Sequence, residues 1–280
     1  MQIKFTYTSP QNDIIDLANN NLFVLKDVDG LTGVNVSISS AEMAIMDGDI
    51  ETNTKTDPRQ IVIYIEFRQG VDIEAAKNKI LAVVKPKQTG VLTYTNKGRT
   101  VAINATVENI SMPRFTTKPI LQIKCHCAYP YWQDAEWMVN NIKNILSMHH
   151  FKLVVNDAKP IVFGRVQSQI AQSILNDGDV PTGITFTIIA YGTVINPKIE
   201  REEDGAAFRL NQTMNAGDVI EINTTRGKKR VSLNGTNIIN KVQGGSNWLQ
   251  LNIGYNTFTL SDDSNATNVY LQIKYKRSYV

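Results

Sequence analysis

The sequence predicts a mainly β protein of two domains, a β-rich N-terminal domain with one helix and a C-terminal β-sandwich. Three observations carry that expectation. Apolar residues recur at every second position through much of the first half, one stretch switches to helical spacing, and after Phe151 turn signals come about every 8 to 12 residues. At 280 residues the chain is long enough for two domains that each bury a core unaided.

The first-half strands are explicit. Ile61, Ile63, Ile65 and Phe67 point to one side while Val62, Tyr64, Glu66 and Arg68 point to the other, as a strand buried on one face requires. Val101, Ile103, Ala105 and Val107 repeat the pattern, and Leu121, Ile123, Cys125 and Cys127 alternate with Ile120, Gln122, Lys124 and His126. Between these strands the period changes: Ile73, Ala76, Ile80, Leu81 and Val84 share a helical face. Asp72 is placed to cap that helix, Glu74 lies where the helix dipole favours an anion, and Pro86 stops it, so a helix is expected over 72–84. A second helical pattern, with Trp137, Ile142, Ile145 and Leu146 on one face, is expected from Asp134 to Met148.

Beyond residue 151 the punctuation changes. Asn176-Asp177-Gly178, Asn196-Pro197, Asp204-Gly205, Gly217-Asp218, Arg226-Gly227, Asn234-Gly235 and Gly254 are turn signals. They separate short alternating segments: Phe208 with Leu210, Val219 to Ile222, Val231 with Leu233, Trp248 to Ile253, and Val269 to Tyr275. Ile184 to Tyr191 reads as a nearly continuous apolar strand. This rhythm is that of a sandwich. The change of character falls between Trp132 and Phe151, which sets the domains at 1–135 and, linker included, 136–280.

Composition and motifs argue against most chemistries. A formal charge of +3, from 29 basic and 26 acidic residues, is too balanced for a dedicated nucleic-acid binder. Apolar runs such as Ile80 to Val84 are far short of the roughly 18 residues of a membrane span, and residues 1–10 lack the character of a secretory signal, so folding in a cytoplasm is expected. Cys125 and Cys127 share one face of a strand with His126 on the other, an arrangement that does not converge on zinc; reduced, buried thiols are expected. No nucleophile elbow and no phosphate-cradling glycine motif occurs, and His149 and His150 read as a solvated terminus. Neither catalytic residues, a metal nor a cofactor is therefore expected, and the chain is read as no enzyme. Lys228-Lys229-Arg230, beside Arg226-Gly227, reads as an exposed hairpin kept soluble by charge, with a polyanion contact as a secondary use. Among the aromatics, Trp248 and Tyr255 are the candidates for contact with a glycan or partner, since exposed rings stack on sugars.

With these elements placed, the order of motifs resembles the distal tail proteins of siphophages, the tail-tip hub family, over nearly the whole chain. One anchor is Ile123 to Trp132, similar to the closing strand of that family's first domain and its Asp-Pro-Tyr-aromatic step; here Ala128-Tyr129-Pro130-Tyr131-Trp132 carries Tyr in place of Asp. The second is a series: Asn176-Asp177-Gly178-Asp179 with Pro181-Thr182-Gly183, then Asn196-Pro197, Phe208 to Asn211, Ala216-Gly217-Asp218 leading into Ile220 to Thr224, Gly227-Lys228, and Gly254-Tyr255-Asn256 before a last strand ending at Tyr275 to Tyr279. The resemblance implies a tail-tube-like N-terminal domain that forms a hexameric ring and a peripheral galectin-like sandwich, with Tyr129, Pro130, Tyr131 and Trp132 at the inter-domain junction.

It also implies a virion structural protein of the tail-tip baseplate, from a phage or prophage, assembled in the cytoplasm of the bacterial host. Implied partners are five other copies of itself, the tail tube protein, the tape-measure protein, and the tail-associated lysin or fibre and receptor-binding proteins. No membrane is involved, and DNA only passes through the lumen. The strands around Gln60 to Arg68 and Arg99 to Ile110, with the polar segment Asp47 to Arg59, are expected to offer strand edges to neighbouring copies. The alternative is a carbohydrate-binding adhesion module of the tail tip that contacts host cell-wall glycans through Trp248 and Tyr255. A wall hydrolase, the third possibility, finds no constellation of residues to carry it.

Overall fold

The computed structural model describes residues 3–43, 47–113, 116, 118–143, 145–147, 164–166, 170–264 and 269–280. The chain divides into two compact units: Met1–Ala135 together with Ser278–Val280, and Glu136–Arg277. The sequence expectation runs the second domain to residue 280, but the last three residues belong to the first unit.

In the first unit β1 (Lys4–Thr8), β2 (Ile14–Asp16), β3 (Phe23–Asp29), β4 (Val36–Glu42), β5 (Asp49–Thr56) and β6 (Arg59–Phe67) precede the helix α1 (Ile73–Val83). They are followed by β7 (Thr89–Asn96), β8 (Arg99–Ser111), β9 (Ile120–Cys127) and β10 (Trp132–Asp134). The main sheet runs β2-β1-β7-β8-β9-β6-β3, with β10 beside β8, and every pair is antiparallel. Register puts the apolar face together: Ile61 lies opposite Cys125, Ile63 opposite Ile123 and Ile65 opposite Leu121, and all six are buried. Ile80 and Val84 join that core, which is why this segment is a helix although strands surround it. Asp72 Oδ1 accepts from the Glu74 and Ala75 amides, and Val84 leaves the helix in extended conformation two residues before Pro86.

Two expectations about this sheet change. The strands around Gln60 to Arg68 and Arg99 to Ile110 are not edges, because β6 lies between β9 and β3 and β8 between β7 and β9. At the two ends of that order stand β2, three residues long, and β3, which carries a bulge between Leu25 and Asp27 that leaves Lys26 unmatched. A short edge and a bulged, charged edge both discourage strand addition.

The second unit contains β11 (Met138–Lys143), β12 (Ile145–Ser147), β13 (Gly164–Val166), β14 (Ile170–Asn176), β15 (Thr182–Ala190), β16 (Val194–Ile195), β17 (Lys198–Arg201), β18 (Ala206–Arg209) and β19 (Thr213–Met214). After them come β20 (Val219–Asn223), β21 (Arg230–Leu233), β22 (Thr236–Asn237), β23 (Gln250–Leu251), β24 (Gly254–Ser261) and β25 (Val269–Tyr275). One sheet runs β11-β25-β15-β20-β21-β22 and the other β14-β24-β17-β18. Their apolar faces meet in a single core, with Ile184, Phe186 and Ile188 from the first and Ile199, Phe208, Phe258 and Leu260 from the second. Phe186 and Phe258 meet edge to face, 5.3 Å between centroids.

The helix expected from Asp134 to Met148 is replaced by strands. Residues 138–143 pair with β25 from Met138 opposite Tyr275 to Lys143 opposite Tyr270. The reason is tertiary. Trp137, on the supposed helical face, is exposed, and the backbone of 138–143 instead pairs along the side of β25 that β15 leaves open. Asn141 Oδ1 then accepts from Tyr270 Oη at 2.6 Å and Gln272 Nε2 at 2.8 Å across that pairing. His149 and His150 lie outside the described residues. The remaining strand, β26 (Ser278–Tyr279), returns to the first unit and pairs with β10, Trp132 opposite Tyr279 and Gln133 opposite Ser278.

Candidate functional surfaces

The segment Tyr129 to Trp132 lies within the first unit and converges on a buried cation. Arg59, 4% exposed, donates from Nε to the Pro130 carbonyl at 2.6 Å and from Nη1 to the Gly30 and Leu31 carbonyls, both at 3.0 Å. Trp132 Nε1 donates to the same Leu31 carbonyl at 3.0 Å, with its ring 6.0 Å from the guanidinium. Carbonyls, not carboxylates, hold this charge, and burial pulls the guanidinium pKa below its ordinary value. Tyr131 Oη lies 3.0 Å from Thr56 Oγ1, Tyr129 Oη lies 3.2 Å from Ser278 Oγ, and the two tyrosine rings meet edge to face. The four residues thus tie the end of β5, the 30–31 turn and β26 into one node. Sequence reading missed Arg59, because nothing local distinguishes a buried arginine from the exposed ones common at the end of a polar segment.

That node anchors the hairpin of β4 and β5. All of β4 is exposed and so is all of β5 except Thr56, and the two strands pair with each other alone. The hairpin nevertheless carries Val36, Ile38 and Ile50, each about half exposed or more. A lone two-stranded ribbon is marginal in water, so this element presents apolar surface that its own unit does not cover.

In the second unit the two candidate aromatics differ. Trp248 is half-buried, packs edge to face on Phe208 at 5.1 Å, and carries Lys229 Nζ 5.2 Å from its ring centroid. A ring occupied in this way is a poor stacking platform for a sugar. Tyr255 is 70% exposed, opposite the exposed Leu175 in the β14–β24 register and near the exposed Ile253. The structure does not bring Trp248 and Tyr255 together in one site. Beside Trp248 a shallow groove is lined by Asp204, Asn247, Gln250 and Asn252. Arg201 holds the Asp204 carboxylate through Nε and Nη2, and this pairing lowers its pKa to about 2.

Cys125 and Cys127 are free and buried. Burial pushes both thiols up to about 12, aided at Cys125 by the charge of Cys127 and opposed at Cys127 by Arg59. Folded protein at pH 8 is therefore expected to leave a thiol reagent unconsumed, and unfolding to release both cysteines. Because folding raises these pKa values above 9, the thiols' contribution to stability is present in full below pH 9 and is lost as the pH climbs toward 12. Denaturant titrations across that range check the sign.

No group of three or more metal-ligating side chains occurs among the described residues. The family model for the siphovirus-type tail component, C-terminal domain, matches residues 177–279. The matched segment contains both sheets of the sandwich except β11 and β14, with the 177–183 and 254–256 turns on which the family resemblance rests, and that resemblance is borne out. No curated protein matches the chain. In fold the whole chain is similar to SPP1 Dit, described as a paradigm of the hub adsorption apparatus in phages that infect Gram-positive bacteria: 12% identity over 99% of each chain, TM-score 0.72. It is also similar to a chain of the phage P2 baseplate in its activated conformation, solved with calcium and with strontium, each at 11% identity over 99% of this chain and 98% of that one, TM-score 0.52.

Proposed function

We propose that the protein is the non-enzymatic hub of a siphophage tail tip: six copies close into a ring that joins the tail tube to the tail-associated and receptor-binding proteins. The observation that carries this reading is the tail-component domain at 177–279 within a chain whose fold follows SPP1 Dit from end to end. The exposed ribbon supports it from the molecule itself. A head-to-tail contact uses two different patches per copy, and rotation by a fixed angle closes the ring. The β4–β5 ribbon supplies one patch. Its apolar residues leave water on reaching the next copy, whereas the short β2 and bulged β3 make simple edge-to-edge pairing the poorer route. Tyr129 to Trp132 acts at one remove, fixing the base of the ribbon, while Tyr255 with Leu175 offers a contact to proteins docked on the sandwich. The lumen holds the tape-measure protein before ejection and passes DNA during it. Assembly takes place in the host cytoplasm, and the finished ring sits at the tip of the virion tail.

Light scattering and electron microscopy of the full chain with its tail partners test this, and six copies around a central hole are the expected result. Replacing residues 37–55 by a short Gly/Ser turn is expected to leave the first unit's melting transition within a few degrees of wild type and to abolish the ring. A ring that survives the replacement removes the ribbon from the interface, and a chain that stays monomeric with its partners present rejects the hub reading.

A further inference from the structure

The turn between β20 and β21 concentrates positive charge that the hub reading does not use. Arg226, Lys228, Lys229 and Arg230 place four exposed cations in five positions, with Gly227 between them in left-handed conformation, φ +75°. Among the described residues the ion pairs elsewhere engage Lys77, Lys124, Lys198, Arg201, Arg209 and Arg277, and none engages this cluster. The imbalance is regional as well as local. The second unit holds fifteen basic and twelve acidic residues, so the whole formal charge of +3 resides there and the first unit is neutral.

Two of the four cations are also held in place. Lys229 rests over the Trp248 ring, and Arg230 Nη2 donates to the Gly235 carbonyl at 3.0 Å. Pre-positioned cations lose less side-chain entropy on meeting an anion than free ones do. Next to them lies the groove of Asn247, Gln250 and Asn252, whose amides match hydroxyl groups, and its one carboxylate, Asp204, is already neutralised by Arg201.

We infer that this face binds a flexible phosphodiester polymer rich in hydroxyls, with the turn meeting phosphates and the groove meeting the polyol or sugar between them. A single-stranded nucleic acid fits less well, because base recognition uses open aromatic faces and Lys229 covers that of Trp248. An acidic protein also fits less well, since the cluster lacks the apolar centre of a protein interface. The inference does not depend on ring formation, so either can fail alone.

The test is binding of the full chain to immobilised poly(glycerol phosphate), with dextran, single-stranded DNA, poly-glutamate and monomeric glycerol phosphate at equal phosphate concentration as comparison ligands. The polymer is expected to bind at least about tenfold more tightly than each of these, and to weaken by roughly tenfold or more between 50 and 200 mM salt. The double variant Arg226→Gln with Lys228→Gln is expected to lose about tenfold or more in affinity with an unchanged melting temperature, while Lys79→Gln, an exposed lysine of the first unit, is expected to lose nothing. Equal affinity for DNA or poly-glutamate would overturn the inference in favour of those partners. Equal affinity for the monomer, undiminished binding by the double variant, or no binding of the polymer would overturn it outright.

Discussion

Truncating Tyr279 to alanine is expected to destabilise the first unit by about 3 to 5 kcal/mol and to leave the melting of the second unit where it was. The side chain is 7% exposed and lies in the first unit's core, its hydroxyl donates to Asp134 Oδ1 at 3.0 Å, and the Arg99 guanidinium lies 3.4 Å from its ring centroid. Removal therefore opens a cavity beside Trp132, leaves a buried carboxylate without this donor and exposes a guanidinium face. Tyr279→Phe separates the terms, since it keeps the ring and deletes the hydroxyl, and a loss of about 1 to 2 kcal/mol is expected. Deleting Ser278–Val280 removes β26 as well and is expected to exceed Tyr279→Ala. Calorimetry resolves the outcome as two transitions: only the lower boundary of the first unit should move, by roughly 10 °C for Tyr279→Ala. A shift confined to the second unit would contradict the assignment of these last residues.

The Arg59 node sets the second large effect. Arg59→Ala is expected to cost about 3 kcal/mol or more, because the carbonyls of Pro130 and Gly30 lose the arginine's donors inside the protein and Leu31 keeps only that of Trp132 Nε1. Arg59→Lys restores the charge without the planar fork that reaches three carbonyls, and little rescue is expected. Gly30→Ala strikes the same node by a different route. A Cβ there would stand 1.9 Å from the Gln60 carbonyl oxygen, and its φ of +76° is itself unfavourable for a side chain. All three variants should also loosen the base of the β4–β5 ribbon, so hydrogen exchange in 49–56 should rise together with the loss of stability.

Local chemistry accounts for the parts of the fold that were legible in sequence. The alternation at 61–67, 101–107 and 121–127 needed only a period of two with one buried face, and those side chains are the ones the first core buries. Asp72 and Pro86 marked the ends of α1 because capping and termination act within a few residues. The turns at 204–205, 226–227 and 234–235 were visible for the same reason, each setting its strands side by side. The stretch from 134 to 148 failed because its apolar spacing fitted a helix as well as a strand, and the open side of β25, more than a hundred residues away in sequence, decided between them.

The candidate surfaces divide along the same line. Tyr255 could be picked out as an aromatic in a turn-rich setting, but that Trp248 is occupied by Lys229 and Tyr255 is free follows from packing. Arg59 gave no signal at all, since its burial depends on carbonyls contributed from residues 30, 31 and 130.

By itself the sequence determined the class of the protein, its β-rich character and the helix that follows Asp72. These follow from spacings and residue types that act over a few positions. Only the tertiary structure decided which strands are edges, that the chain's end closes the first unit, and that a buried arginine fastens the root of an exposed ribbon. Each of those depends on contacts between residues distant in the chain, where register and burial, rather than local preference, settle the free energy.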